Sequence, residues 1–241
     1  MNESLRGVVL RTVKYNDKNA VVRVYTDTHG LLSFLLPQGQ GKAARMRRAL
    51  FQPLSLVEIE TDIRPSRDIF PIKESRCIAP LANLHADPVK NAIALFLTEL
   101  LTHVIVEQER NAPLFSFLSS SVQILDRLDR GTANFHICFL YNLGMFIGIE
   151  PDVATYVPGR NFDLLNGVFV DGIPPHDHFV GGEDAESLRK LSRITYGNMH
   201  LFRFSRVQRN RLVDLMLDYY RLHNSAIGEL RSPAILASLF D

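Results

Sequence analysis

The periodicity of apolar residues changes at Pro80, and this change restricts the possible architectures more than any other feature of the chain. Before it, apolar residues come in short runs of the kind that make strands. Residues 5–14 are rich in β-branched and aliphatic side chains, Asn16-Asp17-Lys18-Asn19 reads as a turn, and residues 20–25 return as a second run. Thr28-His29-Gly30 turns the chain again before residues 31–36. Residues 54–61 and 69–77 supply two further extended segments. Five strands in so short a stretch predict a small closed or partly open barrel.

After Pro80 the spacing is helical. Asp87 followed by Pro88 predicts a helix start, with Val89, Ile93, Phe96, Leu100 and Val104 on one face of a helix running to residue 107. Residues 114–128 and 132–146 read as two apolar, mutually buried helices separated by Gly131. Residues 149–182 interrupt this pattern with Pro151, Pro158, Gly159, Pro174, Pro175, Gly181 and Gly182. Within that insertion, residues 162–170 form a hairpin signal around Asn166-Gly167. Helices resume at residues 183–191. Ser205 and Gln208 make a capping box for a helix through residue 220, and a last helix is expected over residues 233–240 behind Ser232. The predicted class is α+β, with a barrel at residues 1–80 and a mainly helical domain at 81–241 that carries the small hairpin.

With 241 residues, one large domain or two modest ones are possible. The opening residues lack the apolar centre of a signal peptide, and no run approaches the roughly 18 apolar residues of a membrane helix. A soluble cytoplasmic protein with no membrane partner is therefore expected. The two cysteines, Cys77 and Cys138, are too few for a disulfide framework or a cysteine-rich zinc site. No nucleophile elbow, phosphate-cradling glycine loop, dinucleotide fingerprint or His-Glu-x-x-His motif occurs, so no enzyme, no catalytic residue and no cofactor are predicted. His176 and His178 read as solvated loop residues rather than metal ligands.

Charge singles out the first domain. Residues 1–80 hold 13 Lys+Arg against 8 Asp+Glu, whereas residues 81–241 hold 14 against 18, so the two parts differ in sign. Residues 28–57 contain no acid, and within them Lys42, Arg45, Arg47 and Arg48 fall close together behind Gly39 and Gly41. The glycines predict a loop between strands, whose cations would pair with backbone phosphates without reading sequence. Arg6, Arg11, Lys14 and Arg23 on the first two strands would extend the patch, with alternation deciding which of them face it. Tyr25, Phe34 and Phe51 are either stacking platforms for bases or, as the preferred reading, barrel core. A second basic group, Arg203, Arg206, Arg209 and Arg211, opens the helix capped by Ser205 and serves either a partner or an ordinary surface.

Several of these stretches also resemble a known family. Gly7-Val8-Val9-Leu10-Arg11, Tyr25-Thr26-Asp27-Thr28-His29-Gly30, Gly41-Lys42 with the arginine run, and Ala49-Leu50-Phe51-Gln52-Pro53 are similar to the N-terminal part of the RecO family. Residues 217–223 and Gly228-Glu229-Leu230-Arg231-Ser232 resemble its C-terminal signature. The resemblance implies an N-terminal OB-fold, a helical second domain and a non-enzymatic role in DNA repair and recombination. It implies binding of single- and double-stranded DNA, annealing of complementary strands, and partnership with RecR and with the tail of the single-strand-binding protein, so that RecA is loaded on coated DNA. On that basis Lys42, Arg45, Arg47 and Arg48 are the expected phosphate contacts, with Arg6, Arg11 and Arg23 beside them. Many members of the family carry a four-cysteine zinc site in the region matching residues 149–182. This chain has no cysteine there, which predicts no metal. Two alternatives remain: an adaptor that binds a protein tail on a helical body, and an RNA-binding OB protein.

Overall fold

The computed structural model describes residues 2–105 and 109–238, in which all the expected strand runs form. β1 (Asn2–Lys14), β2 (Asn19–Thr26) and β3 (Gly30–Pro37) make an antiparallel meander, and β4 (Leu56–Asp62) pairs antiparallel with the other side of β1. The strand count is six rather than five. The single segment expected at residues 69–77 divides into β5 (Ile69–Pro71), parallel to β3, and β6 (Glu74–Ala79), antiparallel to β4. The cause lies in the sequence: Pro71 has no N–H, which blocks one side of the ladder at that point. Two residues later, Lys73 N–H already donates to the Glu60 carbonyl at 2.9 Å. One continuous stretch therefore leaves β3 and joins β4, and in doing so it closes the sheet into an OB-type barrel.

Leu5, Val9, Val22, Val24, Phe34, Leu36, Val57 and Ile59 fill this barrel. Strict alternation along β1 would put Arg11 on the same inward face as Leu5, Gly7 and Val9. A bulge prevents this. Val9 pairs with Val24 but Arg11 pairs with Arg23, so Leu10 is an extra residue and everything beyond it changes face. Gly7 faces inward where no side chain fits, since a Cβ there would stand 2.2 Å from Val24 Cγ1.

The described chain divides into two compact units, Met1–Arg127 and Leu128–Asp241. In the first, α2 (Ala82–Ala86), α3 (Pro88–Val104) and α4 (Ala112–Arg127) accompany the barrel. α3 starts as expected at Asp87, whose side chain accepts from Val89 N–H and Lys90 N–H. Its expected continuation to residue 107 falls in part outside the described residues. Helices α3 and α4 contact the outer side of β1, where Val8, Leu10 and Tyr25 are buried. Among the described residues no helix is long and apolar enough to cross a membrane.

In the second unit, α5 (Thr132–Phe146) has the predicted bounds and is buried on most of its circumference. α6 (Gly182–Leu191), α7 (Arg206–His223) and α8 (Ser232–Ser238) follow, α7 with its capping box in place. Residues 239–240 of the last expected helix lie outside the described residues. Tyr220 on α7 donates to the Leu140 carbonyl of α5 at 2.7 Å. The predicted hairpin forms from β7 (Asn161–Asp163) and β8 (Val168–Val170), and a third strand, β9 (Phe179–Val180), completes a small sheet. Asp163 organises it. Its buried carboxylate accepts from Leu165 N–H, Asn166 N–H and Asn166 Nδ2, and His176 Nε2 stands 3.4 Å away. The first three fix the turn between β7 and β8, and the His176 contact ties it to the segment before β9.

Candidate nucleic-acid interface

The four clustered cations sit on a helix, not on a loop. α1 (Lys42–Leu50) occupies the connection between β3 and β4, and Gly41 before it adopts a φ of 89°, the left-handed region that suits glycine. Lys, Ala, Arg, Met and Leu are all strong helix formers, which is why the segment coils once past the two glycines. Ala44 is its buried residue. Arg47 and Arg48 lie in the last turn, where the helix dipole favours cations.

The connection from α1 to β4 is anchored to β1. Thr12 Oγ1 donates to the Phe51 carbonyl at 3.3 Å, and Leu54 N–H donates to the Val9 carbonyl at 2.8 Å, beside the β1 bulge. Leu54 holds a φ of 60° while fully buried, a conformation costing about 1–3 kcal/mol in a side-chain-bearing residue, which its packing must offset. The side chains of Arg47 and Arg48 donate to the Pro37 and Gly39 carbonyls at 3.4 and 2.9 Å. Those contacts orient the guanidinium groups and leave their charge uncompensated.

Of the seven predicted contact residues, Arg6 alone is in an ion pair among the described residues, with Asp27 at 3.0 Å. Lys42, Arg45, Arg47 and Arg48 are brought together on α1. Arg11 and Arg23 form a separate cross-strand pair on the outer side of β1 and β2. Arg6, farther back on β1, belongs to neither group.

A groove of about 470 Å³ opens between the β1–β2 turn and the end of α1. Lys14 and Arg48 contribute its cations, Asp17, paired with Lys14 at 2.8 Å, its carboxylate, and Asn16, Gln38 and Gln52 its amides. Ala20, Leu36 and Phe51 make an apolar floor. The groove joins Arg48, which is in no ion pair among the described residues and can hold a phosphate, to amides that can reach base edges. Tyr25, Phe34 and Phe51 are exposed by only 1, 0 and 3 %, so all three are core and none is a stacking platform. Sequence reasoning missed Gln38 and Gln52. Gln52 falls in the family-like run Ala49-Leu50-Phe51-Gln52-Pro53, which gave no sign of a groove, and Gln38 reaches it through the approach of β3 to the β1–β2 turn, where its N–H donates to the Lys18 carbonyl at 2.7 Å. Tyr15 was missed too. It is 63 % exposed in that turn, an aromatic ring at the surface beside Lys14 and Asn16.

The second basic group is spread differently. Arg211 pairs with Asp184 at 2.6 Å, and Arg209 donates to the Phe204 carbonyl at 2.7 Å, with burial pushing its pKa down. These contacts lie within the second unit and account for two of its four arginines.

Residues 1–81 match the family described as Recombination protein O N terminal, and residues 85–226 match Recombination protein O C terminal. The chain is 41 % identical over 234 residues to the DNA repair protein RecO of Phocaeicola vulgatus, covering 97 % of each chain. It is 40 % identical over 236 residues to that of Bacteroides fragilis, covering 98 % of each, and 28 % identical over 241 residues to that of Flavobacterium johnsoniae, covering all of both. With both halves matched and such relatives aligned from end to end, the chain belongs to the RecO family of DNA repair and recombination proteins.

Proposed function

We propose that this protein is a non-catalytic recombination mediator that binds single- and double-stranded DNA through the barrel and anneals complementary strands. Its partners in this reading are RecR and the tail of the single-strand-binding protein, with RecA loaded as the outcome. It acts in the cytoplasm, at the nucleoid when bound to DNA. The observation that carries the reading is α1: four cations on one short helix, none in an ion pair among the described residues, in a stretch of the chain free of acid. A helix of this kind gains little stability from its charge and much affinity for a polyanion. Neutralising phosphates on two strands lowers their mutual repulsion while the base edges stay free to pair.

The test is a salt titration of single-strand binding for the natural protein and for a variant with Lys42, Arg45, Arg47 and Arg48 all replaced by Ala. The variant keeps a helix-forming segment, because Ala is the best helix former. Its affinity should fall for every sequence, and its salt dependence should become shallower by up to about 3 in log–log slope, roughly 0.7 for each lost phosphate contact. Unchanged affinity and slope would remove α1 from the interface.

A further inference from the structure

A second cationic cleft lies on the same unit, away from α1. It has a volume of about 410 Å³ and is bounded by Arg6, Arg110, Thr28 and three serines of α4, Ser116, Ser119 and Ser120. The serines follow at i, i+3 and i+4, so they stand on one face of the helix. Helical hydroxyls commonly turn back to the carbonyl one turn earlier. The threonines of α3 do so, Thr98 bonding to the Ala94 carbonyl at 2.9 Å and Thr102 to the Thr98 carbonyl at 2.6 Å. No such bond ties the hydroxyls of Ser116, Ser119 or Ser120 among the described residues, so all three remain available as donors to the cleft.

The charges are available in part, since Arg6 is ion-paired on one edge only. Asp27 also lines the cleft, but both of its oxygens are engaged by Arg6: Oδ1 accepts the Arg6 backbone N–H at 3.1 Å and Oδ2 accepts Nε at 3.0 Å. That leaves the two Nη groups of Arg6 without a partner among the described residues. Arg110 is exposed and has no carboxylate partner among them. Two guanidinium groups and four hydroxyls therefore converge on one cavity whose one carboxylate among the described residues, Asp27, is paired with Arg6, which leaves Arg110 as the excess positive charge. This donor set suits the several oxygens of a phosphate, which arginine forks and Ser/Thr hydroxyls commonly bind in nucleic-acid complexes.

Arg6 and Lys14 stand eight residues apart on one strand, about 25 Å at the rise of extended chain, so this cleft and the α1 groove are distinct places. We infer that the Arg6–Arg110–serine cleft is a second phosphate site that holds the backbone of a second nucleic-acid strand. The inference rests on the nucleic-acid reading of the barrel and adds to it a structural basis for holding two strands at once.

The experiment uses two non-complementary thymidine strands carrying a donor and an acceptor dye, mixed with the full chain, and reads energy transfer between strands bound to one protein. Arg110→Ala combined with Ser119→Ala removes a fork and a hydroxyl that are in no hydrogen bond or ion pair among the described residues, and the Ser119 carbonyl that accepts from Gln123 is kept. This variant should bind a single strand within about twofold of the natural protein, yet need about tenfold more second strand for half-maximal transfer. Transfer identical to the natural protein's would overturn the inference. Replacing chloride with inorganic phosphate at equal ionic strength should suppress the transfer signal of the natural protein. Equal signals in the two anions would overturn the assignment of phosphate as the ligand. The variant lacking the α1 cations separates the two readings: undiminished single-strand binding by it would refute the α1 interface, whereas the cleft stands or falls on the Arg110/Ser119 variant.

Discussion

Arg11 of β1 stands directly opposite Arg23 of β2, two like charges in register with no carboxylate paired to either among the described residues. Like charges facing each other across antiparallel strands destabilise the pair by a few tenths of a kcal/mol or more. Their position therefore has a cost to the fold. Replacing Arg23 with Thr should raise the free energy of unfolding slightly, by about 0.5 kcal/mol at most, while weakening DNA binding. Denaturant melts and binding isotherms on the same preparation check both. A gain in stability without loss of affinity would place this pair outside the interface.

Gly7 has a different constraint. A Cβ at this position would meet Val24 inside the barrel, so Gly7→Ala should cost on the order of 2 kcal/mol through overpacking. Urea unfolding measures it. A loss under about 0.5 kcal/mol would mean that the core absorbs the extra methyl group.

Asp163 gives a prediction with a pH sign. Burial acts to raise its pKa, but hydrogen bonds from the Asn166 side chain, Asn166 N–H and Leu165 N–H, with the nearby His176, outweigh burial and hold it below the usual carboxylate range. The folded value is the lower one, so the stabilisation is fully present above the unfolded pKa and is lost as pH falls through the folded value. Asp163→Ala should destabilise by on the order of 1–2 kcal/mol at neutral pH, because it removes the acceptor of the Leu165 and Asn166 N–H groups and of the Asn166 side chain, and Asp163→Asn should cost less. Hydrogen exchange of the residue 161–170 amides reports the change locally; unaltered protection would show that the turn holds without this carboxylate.

His136 also links stability to acid. Burial, with the Arg209 charge adding to it, holds its imidazole down at about 3. Between that value and the ordinary 6.5 the unfolded chain binds a proton that the folded chain refuses, so stability falls as pH falls through this window. At its steepest the contribution is about 1.4 kcal/mol per pH unit. Urea midpoints from pH 4 to 6.5 should therefore decline less in His136→Gln than in the natural protein. Parallel declines would assign the acid sensitivity to other groups.

The fold was legible wherever a local pattern decided it. α5 has the predicted bounds because Gly131 stops the preceding chain and the following residues are apolar on most sides. The α7 capping box could be found from Ser205 and Gln208 alone. Features that depend on distant pairing were not legible in the same way. The bulge at Leu10 exists only relative to β2, so the faces taken by Arg6 and Arg11 could not be assigned from β1 by itself. The division of residues 69–79 into two strands depends on β3 and β4 lying on either side of it. At the site, the cluster Lys42, Arg45, Arg47 and Arg48 was visible as charge, but Gly39 and Gly41 suggested a loop where the helix-forming residues after them prevail. The cleft at Arg110 was hidden for a simpler reason. Its two arginines are 104 positions apart in the chain, and no local motif connects them.

The change of partner at Ile72-Lys73 has a consequence for how the chain is made. Until residues 69–79 have emerged during synthesis, β3 and β4 each present an unpaired edge, and such edges invite pairing with other chains. The barrel cannot finish from its first sixty residues, however well the meander forms. Its last strand is also its fastener, so the interval between the synthesis of β4 and that of β6 is the period in which a nascent chain is most exposed to association with its neighbours.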